Sequence, residues 1–180
     1  MAMTNEAWCA DGNIFDVPAD DAQHVDPVLL RRSAMDLLAR REHATEELAQ
    51  KLRKRFRIRS DEQGIINAVL KRLADQGLLS DERYAASLVR QCINRGLGPR
   101  RIAQELKLKG ISDSLVSIMR AATIEIDWFE HAEGVYAKKY GVIPLPDARE
   151  DRQKSLHKRM RFMQYRGFAA EHFVHLANGS

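Results

Sequence analysis

The chain holds five prolines, Pro18, Pro27, Pro99, Pro144 and Pro146, and each lies at the edge of a segment with helical apolar spacing, never inside one. A proline ring removes an amide donor and collides with the preceding turn, so this placement leaves the intervening stretches free to be helices. Leu30, Ala34, Leu37 and Leu38 make one apolar stripe, and Ile66, Val69, Leu70 and Leu73 another. Ala85, Leu88, Val89 and Cys92 continue the pattern, followed by Ala132, Val135 and Tyr136, then Ala170, Phe173, Val174 and Ala177. Only RFRIR (55–59) alternates like a strand. A five-residue strand with no partner makes a poor sheet, so a frayed helix end and loop is expected there. The fold class is all-α.

A weak internal repeat runs through the chain, each unit having a first helix, a basic middle helix, a turn and a third helix. The middle helices are EELAQKLRKR (46–55), RRIAQELKLKG (100–110) and KSLHKRMRFMQYRG (154–167). Gly110 with Ile111 corresponds to Gly167 with Phe168, where a left-handed residue should close a helix. A unit of this size buries little apolar surface alone, so three in a row should lean on one another as an elongated, curved rod of helix-turn-helix-like repeats. The expected boundaries are 1–26 for a disordered acidic tail, then 27–80, 81–125 and 126–177 for the three repeats. GLLSD (77–81) supplies a glycine stop and a Ser or Asp start, and GVIPLPDARED (141–151) interrupts the third repeat as a loop.

The net charge of +4 hides an asymmetry: residues 1–30 carry six acids and no Lys or Arg, leaving all 29 bases and only 19 of the 25 acids to the rest. A basic body points to a polyanion or to a partner with acidic faces, a solvated body with a solubilising tail being the plain alternative. Cys9 and Cys92 are the only cysteines, one in the tail and one on an apolar stripe, which argues for a reducing compartment and against a disulfide or cysteine–zinc scaffold. No apolar run approaches the roughly 20 residues of a membrane span, and the first residues lack a signal peptide's basic start and apolar core. A cytoplasmic protein is expected.

RGLGPRRIAQELKLKGIS (95–112) concentrates the charge. Its GLGP lacks the Gly-Lys-Ser/Thr ending of a phosphate loop; Gly96 should end one helix, Gly98 cap the next, and Pro99 open it. At 100° per residue Ile102, Ala103 and Leu106 face a core, while Arg100, Gln104 and Lys107 fall within roughly 60° of one another on the other side. Arg101 and Lys109 flank that face, Arg95 precedes it, and Leu108 points away from the core. Glu105 can pair with Arg101, in the weaker order for such pairs. KLRKRFRIR (51–59) repeats the arrangement with Lys51, Arg53, Lys54, Arg55, Arg57 and Arg59, and the third repeat has Lys154, Lys158, Arg159, Arg161 and Arg166. A basic face recurring at one position suits a phosphate backbone or an acidic groove. The contact set expected from this is Lys51, Lys54, Arg55, Arg57, Arg95, Arg100, Arg101, Gln104, Lys107, Leu108, Lys109, Lys158, Arg161 and Arg166.

Catalytic and metal signatures are weak. His172 and His175 stand three apart on an expected helix beside Glu171, without a third ligand or a His-Glu-x-x-His pattern, and are assigned to surface or packing. Trp128, Phe129, Tyr136 and Tyr140 are spaced as a packing stripe rather than as stacking platforms. Asp81, Glu82 and Asp113 sit at expected helix starts, where they favour the dipole. No nucleophile elbow, Walker or Rossmann pattern occurs. The chain reads as a non-enzyme with no cofactor.

The series LLARREHATEELAQKL, GLLSDERYAASLVR, RGLGPRRIAQELKLKGIS, DW, KKYG and FMQYRGF resembles the bacterial RecX family of recombinase regulators over about residues 30 to 177. Ala44 departs from the Ser-like N-cap common in that family. The resemblance implies three tandem three-helix units and a protein that binds RecA in the groove of its DNA filament. It also implies restraint of filament extension, ATP hydrolysis and strand exchange, and so of recombination and the SOS response. The implied partners are the RecA filament, single-stranded DNA and, as an open question, double-stranded DNA. No membrane partner is expected from the apolar runs, and a self-stacked rod needs no second chain, so a monomer is expected. The alternatives are a stand-alone DNA-binding protein with helix-turn-helix-like repeats, against which no unit carries a clear base-reading helix, and a passive scaffold.

Overall fold

The computed structural model describes residues 26–59, 63–123, 125–141 and 143–178; the acidic tail up to residue 25 lies outside them. Secondary structure among the described residues is entirely helical. The helices are α1 (Pro27–Leu38), α2 (Thr45–Phe56), α3 (Gln63–Asp75), α4 (Asp81–Asn94), α5 (Pro99–Leu108), α6 (Asp113–Ala122), α7 (Trp128–Tyr140), α8 (Arg149–Arg166) and α9 (Val174–Asn178), with a 3-10 turn at Ala170–His172.

Helix starts follow from short polar side chains that accept from the first free amides. Asp26, Ser80, Ser112 and Asp127 do this for α1, α4, α6 and α7. Stops follow from left-handed residues. Gly77, Gly96, Gly110 and Gly167 all have φ between 70° and 91°. At Gly110 and Gly167 the next amide bonds back to a carbonyl in the last turn, Ile111 to Leu106 at 3.2 Å and Phe168 to Met163 at 3.2 Å. In α2 the same closure is made by Arg57 (φ 50°), with Ile58 bonding to the Arg53 carbonyl at 3.1 Å. RFRIR is therefore a helix end and an irregular exit, as its isolation from any partner strand implies.

Buried apolar side chains fall into three clusters, one per helical triplet. Leu30, Leu48, Leu52, Ile66, Leu70 and Leu73 centre the first. Tyr84, Val89, Cys92, Ile102, Leu106 and Ile111 centre the second, which also takes in Ala44 from the start of α2. The third is small, with Ala132, Met163, Phe168 and Phe173. Each fully buried Leu or Phe contributes about 1.5–3 kcal/mol, so the third triplet has the least apolar support. Trp128 leans on both the second and third clusters.

Three expectations change in the third triplet. The apolar stripe from Ala170 to Ala177 is broken: a 3-10 turn ends at His172, Phe173 leaves helical geometry, and α9 restarts at Val174. The two histidines therefore lie on either side of a break. His172 accepts the Ala169 amide at Nδ1 (3.3 Å), while His175 reaches Glu133 at 3.1 Å. Phe129, expected in the packing stripe, is 49% exposed and lies against both rings, at 5.3 and 6.2 Å. Arg159, expected on the basic outer face, is only 5% exposed. Its guanidinium donates to Tyr136 Oη at 3.0 Å and to the carbonyls of Ile143 and Pro144 at 2.6 and 3.3 Å, and it lies 5.0 Å from the Tyr140 ring centre. On the α8 wheel it shares a side with Met163, one turn on, and that side is the one the core claims.

Candidate interaction face

The middle helices meet end to end. At the C-terminus of α8 the carbonyls of Arg166 and Gly167 accept the amides of Gly98 and Arg100 at 2.8 and 3.1 Å, so the last carbonyls of α8 are paired with the first amides of α5. A methyl group on Gly167 would stand 2.4 Å from the Arg101 amide, and one on Gly98 2.6 Å from the Gly167 carbonyl carbon. GLGP does what its residues suggest: Gly96 ends α4, Gly98 precedes α5 and Pro99 opens it. The requirement for glycine at Gly98 comes from this close approach, since its φ of −86° suits any residue. At the other end of α5, a methyl on Gly110 would meet the Glu46 side chain of α2 at 3.1 Å. The sequence of contacts is thus α8 to α5 to α2.

The candidate side chains divide by what holds them. Lys51 reaches Glu47 at 3.4 Å, Arg101 reaches Glu105 at 2.9 Å in the weaker order, and Lys107 reaches Asp113 at 2.8 Å. Arg166 donates to the Arg95 carbonyl at 2.6 Å and stacks on Phe162, so its charge serves the joint between α4 and α8. Lys54, Arg55, Arg57, Arg95, Arg100, Lys109, Lys158 and Arg161 are exposed and have no ion pair among the described residues. Gln104 is exposed beside them, and Leu108 is 75% exposed, as its place opposite Ile102 and Leu106 requires. Beside the joint, a groove of about 720 Å³ is lined by Arg95, Lys138, Lys139 and Arg166 with the carboxylates of Asp127 and Glu130 among them, so it continues the basic character of the face with partial neutralisation.

A titratable network backs the first part of this face. Burial alone would raise the Glu47 carboxyl, but its hydrogen bonds from Arg41 and the charges of Arg41, His43 and Lys51 bring it down to about 2. His43 is buried, and desolvation with the neighbouring Arg41 and Lys51 charges pushes its imidazole below the usual range. No group of three or more His, Cys, Asp or Glu side chains able to hold a metal occurs among the described residues, and no helix there is long and apolar enough to cross a membrane.

Residues 80–118, spanning α4, α5 and the start of α6, match the family described as RecX, second three-helix domain. Regulatory protein RecX of Ectopseudomonas mendocina (strain ymp) is 41% identical over 154 residues, which cover 86% of this chain and 96% of that one. The chain belongs to the RecX family. Regulatory protein RecX of Halorhodospira halophila (strain DSM 244 / SL1) is 40% identical over 79% of this chain and 82% of its own. The fold agrees with crystal structures of RecX: that from Lactobacillus salivarius has a TM-score of 0.64 at 23% identity, covering 81% of this chain and 90% of its own. A second, a regulatory protein RecX, has a TM-score of 0.68 at 23% identity, covering 84% of this chain and 73% of its own. The RecX assignment rests on a likeness that runs along most of the chain, and the family model falls on helix α5 and its flanks, which carry one of the three basic outer faces.

Three residues important to this arrangement were not singled out by their sequence pattern. Asp81 stands at the start of α4, as its local pattern implies, and its carboxylate also accepts the Thr45 amide at the start of α2 at 2.7 Å. Arg159 was grouped with its charged neighbours. Tyr165, 76% exposed, lies outside the aromatic stripe whose spacing predicts packing. For the last two the α8 wheel carries the signal, because it separates Arg159 from Lys158 and Arg161 and groups Tyr165 with them.

Proposed function

We propose that the chain is a non-enzymatic modulator, chiefly an inhibitor, of the RecA recombinase. It lies in the groove of the RecA–DNA filament and restrains filament extension, ATP hydrolysis and strand exchange, tempering recombination and the SOS response. Membership of the RecX family supports a regulatory role. The observation that carries the finer reading is the run of free, exposed cations on three middle helices that abut end to end. A groove in a nucleoprotein filament offers phosphate and acidic protein surface together, and such a face can follow either. On this reading the units are 27–80, 81–125 and 126–177, the molecule acts as a cytoplasmic monomer, and it touches RecA and single-stranded DNA, with duplex DNA as a weaker partner.

The test is the single-strand-dependent ATPase of RecA from the same source, with this protein substoichiometric and DNA in excess. A fall in rate supports action on the filament, because competition for DNA cannot produce it. An unchanged rate with DNA binding retained would shift the assignment to a DNA-binding module. Charge reversal at Arg100 and Lys109 should abolish the fall. Lys107 is a poorer choice, since reversal there places a carboxylate beside Asp113.

A further inference from the structure

On α8, Lys154, Lys158, Arg161 and Tyr165 follow one another at intervals of four, three and four residues, which puts them within roughly 60° of one another on the helix surface. All four are exposed. The row spans roughly 16 Å at 1.5 Å per residue, and residues 152–166 contain no acid. Lys158 and Arg161 have no ion pair among the described residues, and Lys154 has only the exposed Asp151 at 3.4 Å. Tyr165 ends the row, 76% exposed, with the Arg101 guanidinium of α5 5.8 Å from its ring centre. It therefore stands where the end-to-end joint passes the basic row of α8 to that of α5.

No apolar neighbour covers this ring, so its face is open to a ligand. Phe162, at the core-facing edge of this row, carries Lys139 and Arg166 over its ring and is partly buried. Tyr165 presents a flat apolar surface between cations, and an unpaired nucleobase with its phosphates matches both parts at once: the base stacks on the ring and the phosphates fall to Arg161, Lys158 and Arg100. A duplex keeps its bases stacked inside and offers the ring nothing.

We propose that Tyr165 is a base-stacking platform for single-stranded nucleic acid, with Lys158 and Arg161 on one side and Arg100 on the other holding the flanking phosphates. The proposal rests on reading the basic face as one that meets nucleic acid, and it assigns the residue that selects the single-stranded form.

The experiment is a titration of the full chain, without recombinase, against a labelled oligothymidylate and an abasic oligomer of the same length, at two salt concentrations. Tyr165→Ala should weaken binding to oligothymidylate by roughly 5- to 100-fold, the range one stacked base supplies, with an unchanged salt slope. Tyr165→Phe should stay within about twofold of the parent, since it keeps the ring. The abasic oligomer should bind Tyr165→Ala and the parent equally. Arg161→Glu should weaken both oligomers and flatten the salt dependence. Equal binding of oligothymidylate by Tyr165→Ala and the parent overturns the proposal, as does an equal loss on the abasic oligomer. If Arg161→Glu weakens binding and Tyr165→Ala does not, the stacking role alone fails. If neither does, the nucleic-acid reading of the face fails with it. Loss of filament inhibition in Tyr165→Ala with oligothymidylate binding intact overturns the proposal in favour of a protein surface as the occupant.

Discussion

The carboxylate of Asp81 accepts the amide proton of Thr45 at 2.7 Å, across 36 residues of sequence. Helix α2 begins after Ala44, which has no side-chain acceptor and is itself buried in the second core. Helix α2 thus borrows its N-terminal cap from the first residue of α4, and Glu42 adds an ion pair to Arg83 at 2.8 Å beside it.

Replacing Asp81 with Ala should cost about 1–2 kcal/mol, the upper part of the capping range, because the bond is partly buried and joins two triplets. Asp81→Asn keeps an acceptor and should lose less. Urea denaturation of the two variants checks this. A loss in Asp81→Ala no larger than that of an exposed Asp-to-Ala change elsewhere would remove the inter-triplet role.

The joint between α8 and α5 should tolerate no side chain. Gly167→Ala adds a methyl 2.4 Å from the Arg101 backbone on a residue at φ 91°, so both strain and collision act. Gly77, also left-handed but with nothing within 4 Å of a new methyl, is the control and should cost only about 1–2 kcal/mol. Gly167→Ala should exceed this and raise hydrogen exchange at Gly98 and Arg100, whose amides are bonded across the joint. Equal costs at the two glycines would refute close packing there.

Arg159→Met should destabilise the third triplet by about 2–3 kcal/mol, the scale for losing charged hydrogen bonds. Lysine is a poor replacement, because the guanidinium serves a hydroxyl and two carbonyls in a fixed fork. Faster proteolysis within residues 143–148, without change in the first triplet, is the expected readout.

Acidification should weaken the fold in two windows. His43 and His131 are both held below their ordinary value of 6.5, chiefly by burial, so unfolding takes up protons and stability falls as pH drops through that value. Glu47 is held at about 2 against an ordinary 4.5, so its contribution is present above 4.5 and is lost as pH falls toward 2. Arg41 is half exposed, which screens the second effect. Urea midpoints followed from neutral to about pH 3 should decline in both windows, and Glu47→Gln should flatten the lower one.

The sequence foretold the elements well where one signal spoke alone. Pro99 and Asp113 stand at helix starts, Gly110 and Gly167 close helices, and Ile102 and Leu106 face a core, all as their spacing implies. It was silent where one residue answers to two parts of the chain. Asp81 has an adequate local role, which hides its distant one. Gly167 is explained by its left-handed φ, so nothing in the linear order discloses that α5 presses against it. Arg159 misleads because charge composition counts it with Lys158 and Arg161, whereas its angular position puts it with Met163. The third triplet, with the smallest core, is where local periodicity misleads most, as the break at Phe173 shows.

At the joint between α8 and α5 the groups that set the separation are main-chain amides and carbonyls, with glycines allowing them to meet. Exchanging an exposed lysine for another surface residue on either helix leaves those groups in place. Spacing and recognition are therefore separable properties of this molecule: the outer side chains can be re-tuned for affinity or for a different target without resetting the distance between successive modules.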